Sequence, residues 1–299
     1  MSSVDRLTER TTTGKTAVFV ISLARRADRR QHMEALLAQC GLEAEFVDAV
    51  DGLSLTDAER GRYDRRRALA VYGAEMSAAE IGCHLSHLKV HALIVERGLD
   101  CALVLEDDIE CDSDLPDLIE AIRNHPCQEW LVLRLQSIKG AVISGDRPAT
   151  RGDRVQSIRG RSLARVRSGV VGGCGYLIKR EGALRMLRYA HRPFLPIDQA
   201  MDRYWETGIT PYVLRPFPVR QCDRIASEIS ARKTRPAPGV LATVARRVRR
   251  AVDGLAKRQF AFVQLGGWRR LATAEPLMAL GVRAPRGRAF TPAAGRVRG

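Results

Sequence analysis

Long apolar runs are missing from this chain of 299 residues. Its best apolar stretch, residues 17–23, spans seven positions, far short of the ~18 that a membrane-crossing helix needs. The first sixteen residues are polar and lack an apolar h-region, which argues against a secretory signal. The seven cysteines (Cys40, Cys83, Cys101, Cys111, Cys127, Cys174 and Cys222) are odd in number, scattered and without C-x-x-C spacing. Neither a disulfide frame nor a zinc ribbon is therefore expected. The dinucleotide-binding glycines G-x-G-x-x-G do not follow the first strand, and H-E-x-x-H is absent, which removes two common enzyme classes. What remains, with 45% apolar and 28% charged residues, is enough for one large globular domain plus an appendage in a soluble, intracellular protein.

Charge is plentiful but unevenly placed. The formal net charge is +15. Residues 232–299 carry sixteen Lys/Arg against Asp253 and Glu275, a balance of +14, while the other 33 Lys/Arg and 32 Asp/Glu balance to +1. A near-neutral body has no broad cationic face for nucleic acid, and the tail has no interleaved aromatics, so no nucleic-acid partner is expected. The tail alone could hold any polyanion, phospholipid headgroups included.

Along the chain, residues 17–23 (Ala-Val-Phe-Val-Ile-Ser-Leu) read as a buried parallel strand. Residues 25–41 read as a helix: Met33, Leu36, Leu37 and Cys40 recur at helical spacing, and Gly41 stands where a stop belongs. Residues 45–50 form a second strand, closed by Asp51-Gly52. Strand, helix, strand makes a βαβ unit, so the fold class is α/β, with helices flanking a mostly parallel sheet. Residues 53–78 give no assignment. A helix is expected over 79–97, a third buried strand over 101–105, a helix over 115–124 and a strand over 130–135. Residues 139–169, rich in Gly, Arg and Ser, read as loop. A Gly-rich strand over 170–178 leads to a helix over 181–189, and a turn over 193–198 precedes another helix near Gln199.

The most chemical feature is Glu106-Asp107-Asp108 directly after the third strand. Three consecutive carboxylates repel one another and call for a cation or hydrogen bonds, and ligands of open α/β sheets bind beyond the carboxyl ends of strands. A hard divalent ion fits such a cluster and would also take a diphosphate; a helix N-terminus or a solvated turn would accommodate it too. Upstream, Glu80, His84, His87 and His91 share one helical face, whose i, i+4 histidines could hold zinc or simply hydrogen-bond within the fold. Ser22, Arg25, Arg29 and Arg30 follow the first strand, where backbone donors and arginines can meet phosphate.

Taken in order, Val18-Phe-Val-Ile-Ser-Leu23 with Arg29-Arg30, Phe46-Val-Asp-Ala-Val-Asp-Gly52, Glu80-Ile-Gly-Cys-His-Leu-Ser-His87, Leu105-Glu-Asp-Asp-Ile109, Gly173-Cys-Gly-Tyr-Leu-Ile178 with Glu181-Gly-Ala183, and Pro196-Ile-Asp198 resemble glycosyltransferase family 25, the lipooligosaccharide biosynthesis galactosyltransferases. The resemblance covers about residues 17–230, which would then be the catalytic domain between a polar leader (1–16) and a basic C-terminal appendage (231–299). It implies a GT-A-like fold, a UDP-sugar donor, a divalent metal (usually Mn2+) and inverting transfer of galactose or glucose to a saccharide acceptor. Inactive relatives are also known, so the alternative is a silent nucleotide- or sugar-binding module of the same fold. The family's acidic motif falls on Glu106, Asp107 and Asp108, with Asp107 and Asp108 holding the metal and Glu106 on the donor side. Inversion needs a carboxylate to deprotonate the acceptor hydroxyl; Asp198 is the first candidate and Glu80 the second, although Asp198 equally suits a helix N-cap. Arg25, Arg29 and Arg30 could contact the donor phosphates, or face solvent. Asp48 and Asp51 suit ribose or uracil, or a plain turn. His84 and His87 would serve the acceptor or the structure.

In the appendage, residues 239–264 have a helical pattern. Leu241, Val244, Val248, Val252, Leu255 and Phe262 form one stripe, with Arg246, Arg249, Arg250 and Lys257 opposite and Arg247 and Arg258 on the flank. Such a helix suits an anionic membrane surface, where a lipid-linked saccharide acceptor would be found, and places the protein on the cytoplasmic face of the plasma membrane. Alternatively the stripe packs on the catalytic domain. Beyond Gly266 the Gly/Pro/Arg-rich end is expected to be disordered.

Overall fold

A computed structural model of the chain describes residues 16–137, 152–166, 169–222 and 240–264. The expected polar leader up to residue 15 and the expected disordered tail lie outside the described residues. In chain order the elements begin with β1 (Ala17–Ser22), α1 (Ala27–Cys40) and β2 (Glu45–Asp48), then a short 3-10 turn (Gly52–Ser54). Three helices, α2 (Asp57–Arg62), α3 (Arg65–Val71) and α4 (Ala78–Glu96), lead to β3 (Cys101–Glu106), β4 (Ile109–Cys111), α5 (Leu115–Arg123) and β5 (Val132–Arg134). The remainder is β6 (Gly152–Ile158), β7 (Arg161–Val166), β8 (Gly175–Lys179), α6 (Arg180–Ala190), α7 (Ile197–Met201), α8 (Tyr204–Thr207), β9 (Pro211–Arg215), β10 (Val219–Gln221) and α9 (Val240–Gln264).

Eight strands form one sheet in the order β2-β1-β3-β8-β5-β9-β7-β6. Parallel pairing of β1 with β2 and β3, and of β5 with β9, leaves six of the eight strands pointing one way, with β8 and β7 running against them. This mostly parallel sheet flanked by helices is the architecture expected from the sequence and is consistent with a GT-A-like fold. The apolar run of β1 is continuous because both faces of the sheet are covered. Val18 and Val20 join Leu103 and Leu105 in a core on one face, while Phe19 and Ile21 join Val104, Tyr176 and Ile178 in a core on the other.

Local signals place the helices. Gly41 ends α1 in the left-handed region (φ 69°), and Leu42 N–H closes onto the Leu37 carbonyl at 2.9 Å, as the glycine stop predicts. Ser77 and Glu80 close a reciprocal capping box at the start of α4. Thr56 and Glu59 do the same for α2 in the stretch that gave no assignment.

Two expectations are corrected here. Part of the segment read as loop is a hairpin: β6 and β7 pair antiparallel up to Ile158–Arg161, and the intervening Arg159 and Gly160 both have positive φ (46° and 77°), the geometry of a tight two-residue turn. Residues 138–151 lie outside the described residues. The strand expected over 170–178 starts only at Gly175, because Val171 (φ 53°) and Gly172 (φ 106°) bend the chain before it. Among the described residues, no helix is long and apolar enough to cross a membrane.

Candidate active site

Because β1, β2 and β3 are parallel, their carboxyl ends meet at one edge of the sheet. A cavity of about 390 Å³ opens there, lined by residues that follow each strand, by the start of α1 and by one face of α4. The approach of α4 is set by its lack of side chain at Gly82, where a Cβ would stand 2.5 Å from the Val50 carbonyl oxygen. Ser86, one turn on, accepts the Val50 N–H at 2.8 Å and so fixes the same wall.

The three consecutive carboxylates have different surroundings. Asp107 is buried, and each of its oxygens has a partner: Oδ2 accepts from the Ser22 hydroxyl at 2.8 Å and Oδ1 pairs with Arg29 at 2.8 Å. Asp108 is 4% exposed, and its Oδ1 has no hydrogen-bond partner. Its Oδ2 accepts from Gln221 Nε2 at 3.1 Å. Burial, and then the Glu106 charge, push its carboxyl up to about 6 against the opposing Gln221 hydrogen bond. Glu106 Oε1 lies 3.1 Å from His87 Nε2 and 4.0 Å from Cys83 Sγ. These three form a group whose ligand atoms lie within 4.8 Å of one another. Behind them, the Tyr176 hydroxyl lies between His87 Nδ1 at 2.8 Å and His91 Nε2 at 2.9 Å. Burial lowers the His91 ring to about 3, so it is neutral at ordinary pH. Burial and the surrounding carboxylates raise the Cys83 thiol well above its usual range, which makes it a poor nucleophile.

Ser22, Arg25, Arg29, Asp51, Glu106, Asp107, Asp108 and His87 all line the cavity. At its mouth Arg25 Nε donates to Asp51 at 2.7 Å and holds that carboxyl below its usual range. Other sequence candidates fall elsewhere. Arg30 and Asp48 pair with each other outside the lining, with Arg30 also reaching the Ser22 carbonyl at 3.2 Å. Glu80 is spent on structure: Oε2 accepts the Ser77 N–H at 2.7 Å and Oε1 the Tyr72 hydroxyl at 2.9 Å. Both His84 nitrogens face backbone carbonyls, of Leu195 (2.7 Å) and Ala190 (2.9 Å). A metal on Glu80, His84 and His87 is thereby excluded.

Asp198 is not an N-cap, since Pro196 holds that position. Its Oδ2 accepts from Gly172 N–H at 3.0 Å and its Oδ1 from Gln199 N–H at 2.8 Å. It stands behind the lining: a Cβ on Gly173 would lie 3.5 Å from Glu106 Oε1 and 3.8 Å from Asp198 Cβ. Asp202 holds the same bend by accepting from Val171 N–H at 2.9 Å. Three contributors escaped sequence reasoning. Cys83 stood inside a quoted motif but was seen as a bystander, Tyr176 looked like any strand aromatic, and Gln221 carries no local signal at all.

A family model described as glycosyltransferase family 25 (LPS biosynthesis protein) matches residues 15–201. The zebrafish (Danio rerio) procollagen galactosyltransferase 1 is 25% identical over 216 residues, covering 71% of this chain and 35% of the relative. The human protein named inactive glycosyltransferase 25 family member 3 is 38% identical over 114 residues, 35% of this chain and 18% of the relative. A Drosophila melanogaster glycosyltransferase 25 family member is 41% identical over 97 residues, 31% of this chain and 16% of the relative. The matched stretches therefore span no more than about a third of the length of these relatives.

Proposed function

Starting from the fact that the chain belongs to glycosyltransferase family 25, we propose that it moves galactose or glucose from a UDP-sugar to a saccharide acceptor, with inversion and with the help of a divalent ion. The carrying observation is the buried Oδ1 of Asp108, which has no partner at the edge of the sheet where nucleotide ligands of α/β folds bind. A carboxylate left in that state fits a cation. Asp108 would hold the ion with Glu106 alongside, and manganese suits such oxygen donors. Once bound, the ion would neutralise the diphosphate as it leaves. Asp107, each of whose oxygens already has one partner, holds Arg29 and Ser22 in place toward the cavity and keeps a lone pair on each oxygen for the ion. Arg25 and Arg29 supply cationic contacts for phosphate, and Asp51 an acceptor for a ribose or uracil donor. Asp198, each of whose oxygens accepts one backbone N–H and keeps a second lone pair, remains the first candidate to deprotonate the acceptor.

UDP release from UDP-galactose and UDP-glucose, with manganese and with chelator, tests the reading. Turnover that needs the ion and drops at least about a hundredfold in Asp108→Asn supports it. Donor binding with no turnover on a panel of saccharide and lipid-linked acceptors favours the silent module, a reading that the name of the human relative keeps in view.

A membrane location belongs to the same proposal. The helix α9 docks through its charged side: Asp253 pairs with Arg203 at 2.9 Å, Arg249 with Glu206 at 3.1 Å, Phe260 packs on Tyr204, and Lys257 lies over Trp205. Val248, Val252, Leu255, Phe262 and Val263 consequently face outward, each more than half exposed. An outward apolar stripe flanked by arginines matches the interface of an anionic bilayer on the cytoplasmic side, where lipooligosaccharide-type acceptors would be reached. Co-sedimentation with phosphatidylglycerol vesicles, lost in Val252→Asp/Leu255→Asp and not reproduced with RNA, is the expected result. Failure of the wild type to sediment would remove the membrane from the proposal.

A further inference from the structure

We propose that Cys83, His87 and Glu106 form a binding site for a borderline-soft divalent ion, zinc foremost, which adjoins the hard-ion position at Asp108 and shares the Glu106 carboxylate with it. Cys83 and His87 are four residues apart on α4 and so project from the same side of the helix. Glu106 is the last residue of β3 and brings the third ligand from across the cavity floor. All three line the cavity, so an ion has a path in.

The donor set decides the kind of ion. A sulfur, an imidazole nitrogen and one carboxylate oxygen suit zinc, whereas manganese and magnesium favour oxygen alone. Tetrahedral zinc, with bonds of about 2.0–2.3 Å, spaces its ligands about 3.3–3.8 Å apart. The present spacings, 3.1 Å from His87 Nε2 to Glu106 Oε1 and 4.0 Å from Cys83 Sγ to the same oxygen, already bracket that range. Three protein ligands would leave a fourth position open.

The shell behind the histidine is also suited to this ion. Zinc-bound imidazoles donate their other N–H to a fixed partner. Without an ion, His87 Nε2–H donates to Glu106, the Tyr176 hydroxyl donates to His87 Nδ1, and His91 Nε2–H donates to the Tyr176 oxygen. With an ion on Nε2, the His87 proton resides on Nδ1 and is donated to Tyr176, whose hydroxyl turns to His91 Nε2. His91 then carries its proton on Nδ1, which has no partner in the structure, so the one cost of loading the ion is an unpaired buried N–H. Each of the three groups holds one proton before and after, and the only proton released to solvent is that of the Cys83 thiol.

The test uses cobalt(II) in place of zinc, added alone to the full chain without donor or acceptor. One equivalent is expected to give a thiolate-to-cobalt charge-transfer band and tetrahedral d–d bands, both erased by added zinc. Cys83→Ser should abolish the charge-transfer band while circular dichroism stays unchanged. Tyr176→Phe, which keeps every ligand, should weaken zinc binding by about tenfold or more. A wild-type spectrum without the charge-transfer band, or a band that survives Cys83→Ser, overturns the site. Failure of the transferase reading would appear as absent UDP release and would leave these spectra untouched.

Discussion

Substituting Asp108 by asparagine tests the electrostatics of the site without any substrate. In the folded protein its carboxyl is raised from 3.8 to about 6, chiefly by burial and secondarily by Glu106. A carboxylate whose folded pKa lies above its unfolded value binds its proton more tightly when folded. It therefore costs nothing below about pH 4, and the penalty grows as pH rises through the interval between the two pKa values. At about 1.4 kcal/mol per unit, a shift of roughly two units makes ionised Asp108 a burden on the order of 3 kcal/mol at pH 8. Asparagine keeps the shape and can still accept from Gln221, but it carries no charge.

The expected outcome in chelator is that Asp108→Asn is more stable than wild type at pH 8 by about 1–3 kcal/mol. The advantage should shrink to nothing near pH 4, with most of the change between the folded and unfolded pKa values. Urea melts at a series of pH values measure this directly, with the slope m as a check that the same surface is exposed. Adding manganese should raise the wild-type midpoint and leave the variant unmoved, since only a ligand bound to the folded state stabilises it. A pH-independent difference, or a variant less stable than wild type at pH 8, would refute the idea that Asp108 is an uncompensated charge.

Other changes should behave as follows. Arg29→Ala strands Asp107 as a buried charge and should cost about 3–5 kcal/mol in urea unfolding, with Arg29→Lys recovering only part. Glu80→Ala removes both the reciprocal cap of α4 and the acceptor for Tyr72, and should cost about 1–2 kcal/mol. Turnover per folded molecule should hold in that variant; a large fall in turnover at unchanged stability would restore Glu80 as a base. Gly82→Ala drives a methyl into the Val50 carbonyl and should cost about 1–3 kcal/mol, together with weaker UDP binding by calorimetry. Unchanged stability in that variant would show that α4 can back away from the cavity wall.

Sequence reasoning succeeded where one physical cause dominated. Burial on both faces made β1 and β3 visible as apolar runs, and Gly41 announced its own left-handed stop. The carboxylate triplet at the end of β3 marked the edge where the cavity lies. It failed where partners come from far along the chain. Nothing near Asp108 foretells that Gln221, 113 positions on, will donate to it. Nothing near Asp202 foretells that it will hold the backbone at Val171. Glu80 is a different case: the Ser77-x-x-Glu80 spacing was a legible capping box, yet the residue was weighed as a base because its chemistry suited one. The hairpin of β6 and β7 escaped because Arg159 in the left-handed region is an unusual turn residue, with only Gly160 to hint at it.

The division of labour among the three acids follows from their spacing and from the limited supply of cations. Glu106 raises the Asp108 carboxyl more than the adjacent Asp107 does. Asp107 owes its partners to Arg29 on α1 and Ser22 at the end of β1, which bond to it. Among the described residues that line the cavity, four carboxylates (Asp51, Glu106, Asp107, Asp108) face two guanidinium groups (Arg25, Arg29). With the carboxylates ionised the wall carries two net negative charges, a poor reception for a diphosphate that is itself an anion. A divalent ion cancels that excess, and the unpartnered Asp108 Oδ1 offers it a place that costs no existing hydrogen bond. The same charge balance explains why losing either Arg29 or the ion should weaken nucleotide binding, while losing the exposed Arg30–Asp48 pair outside the wall should not.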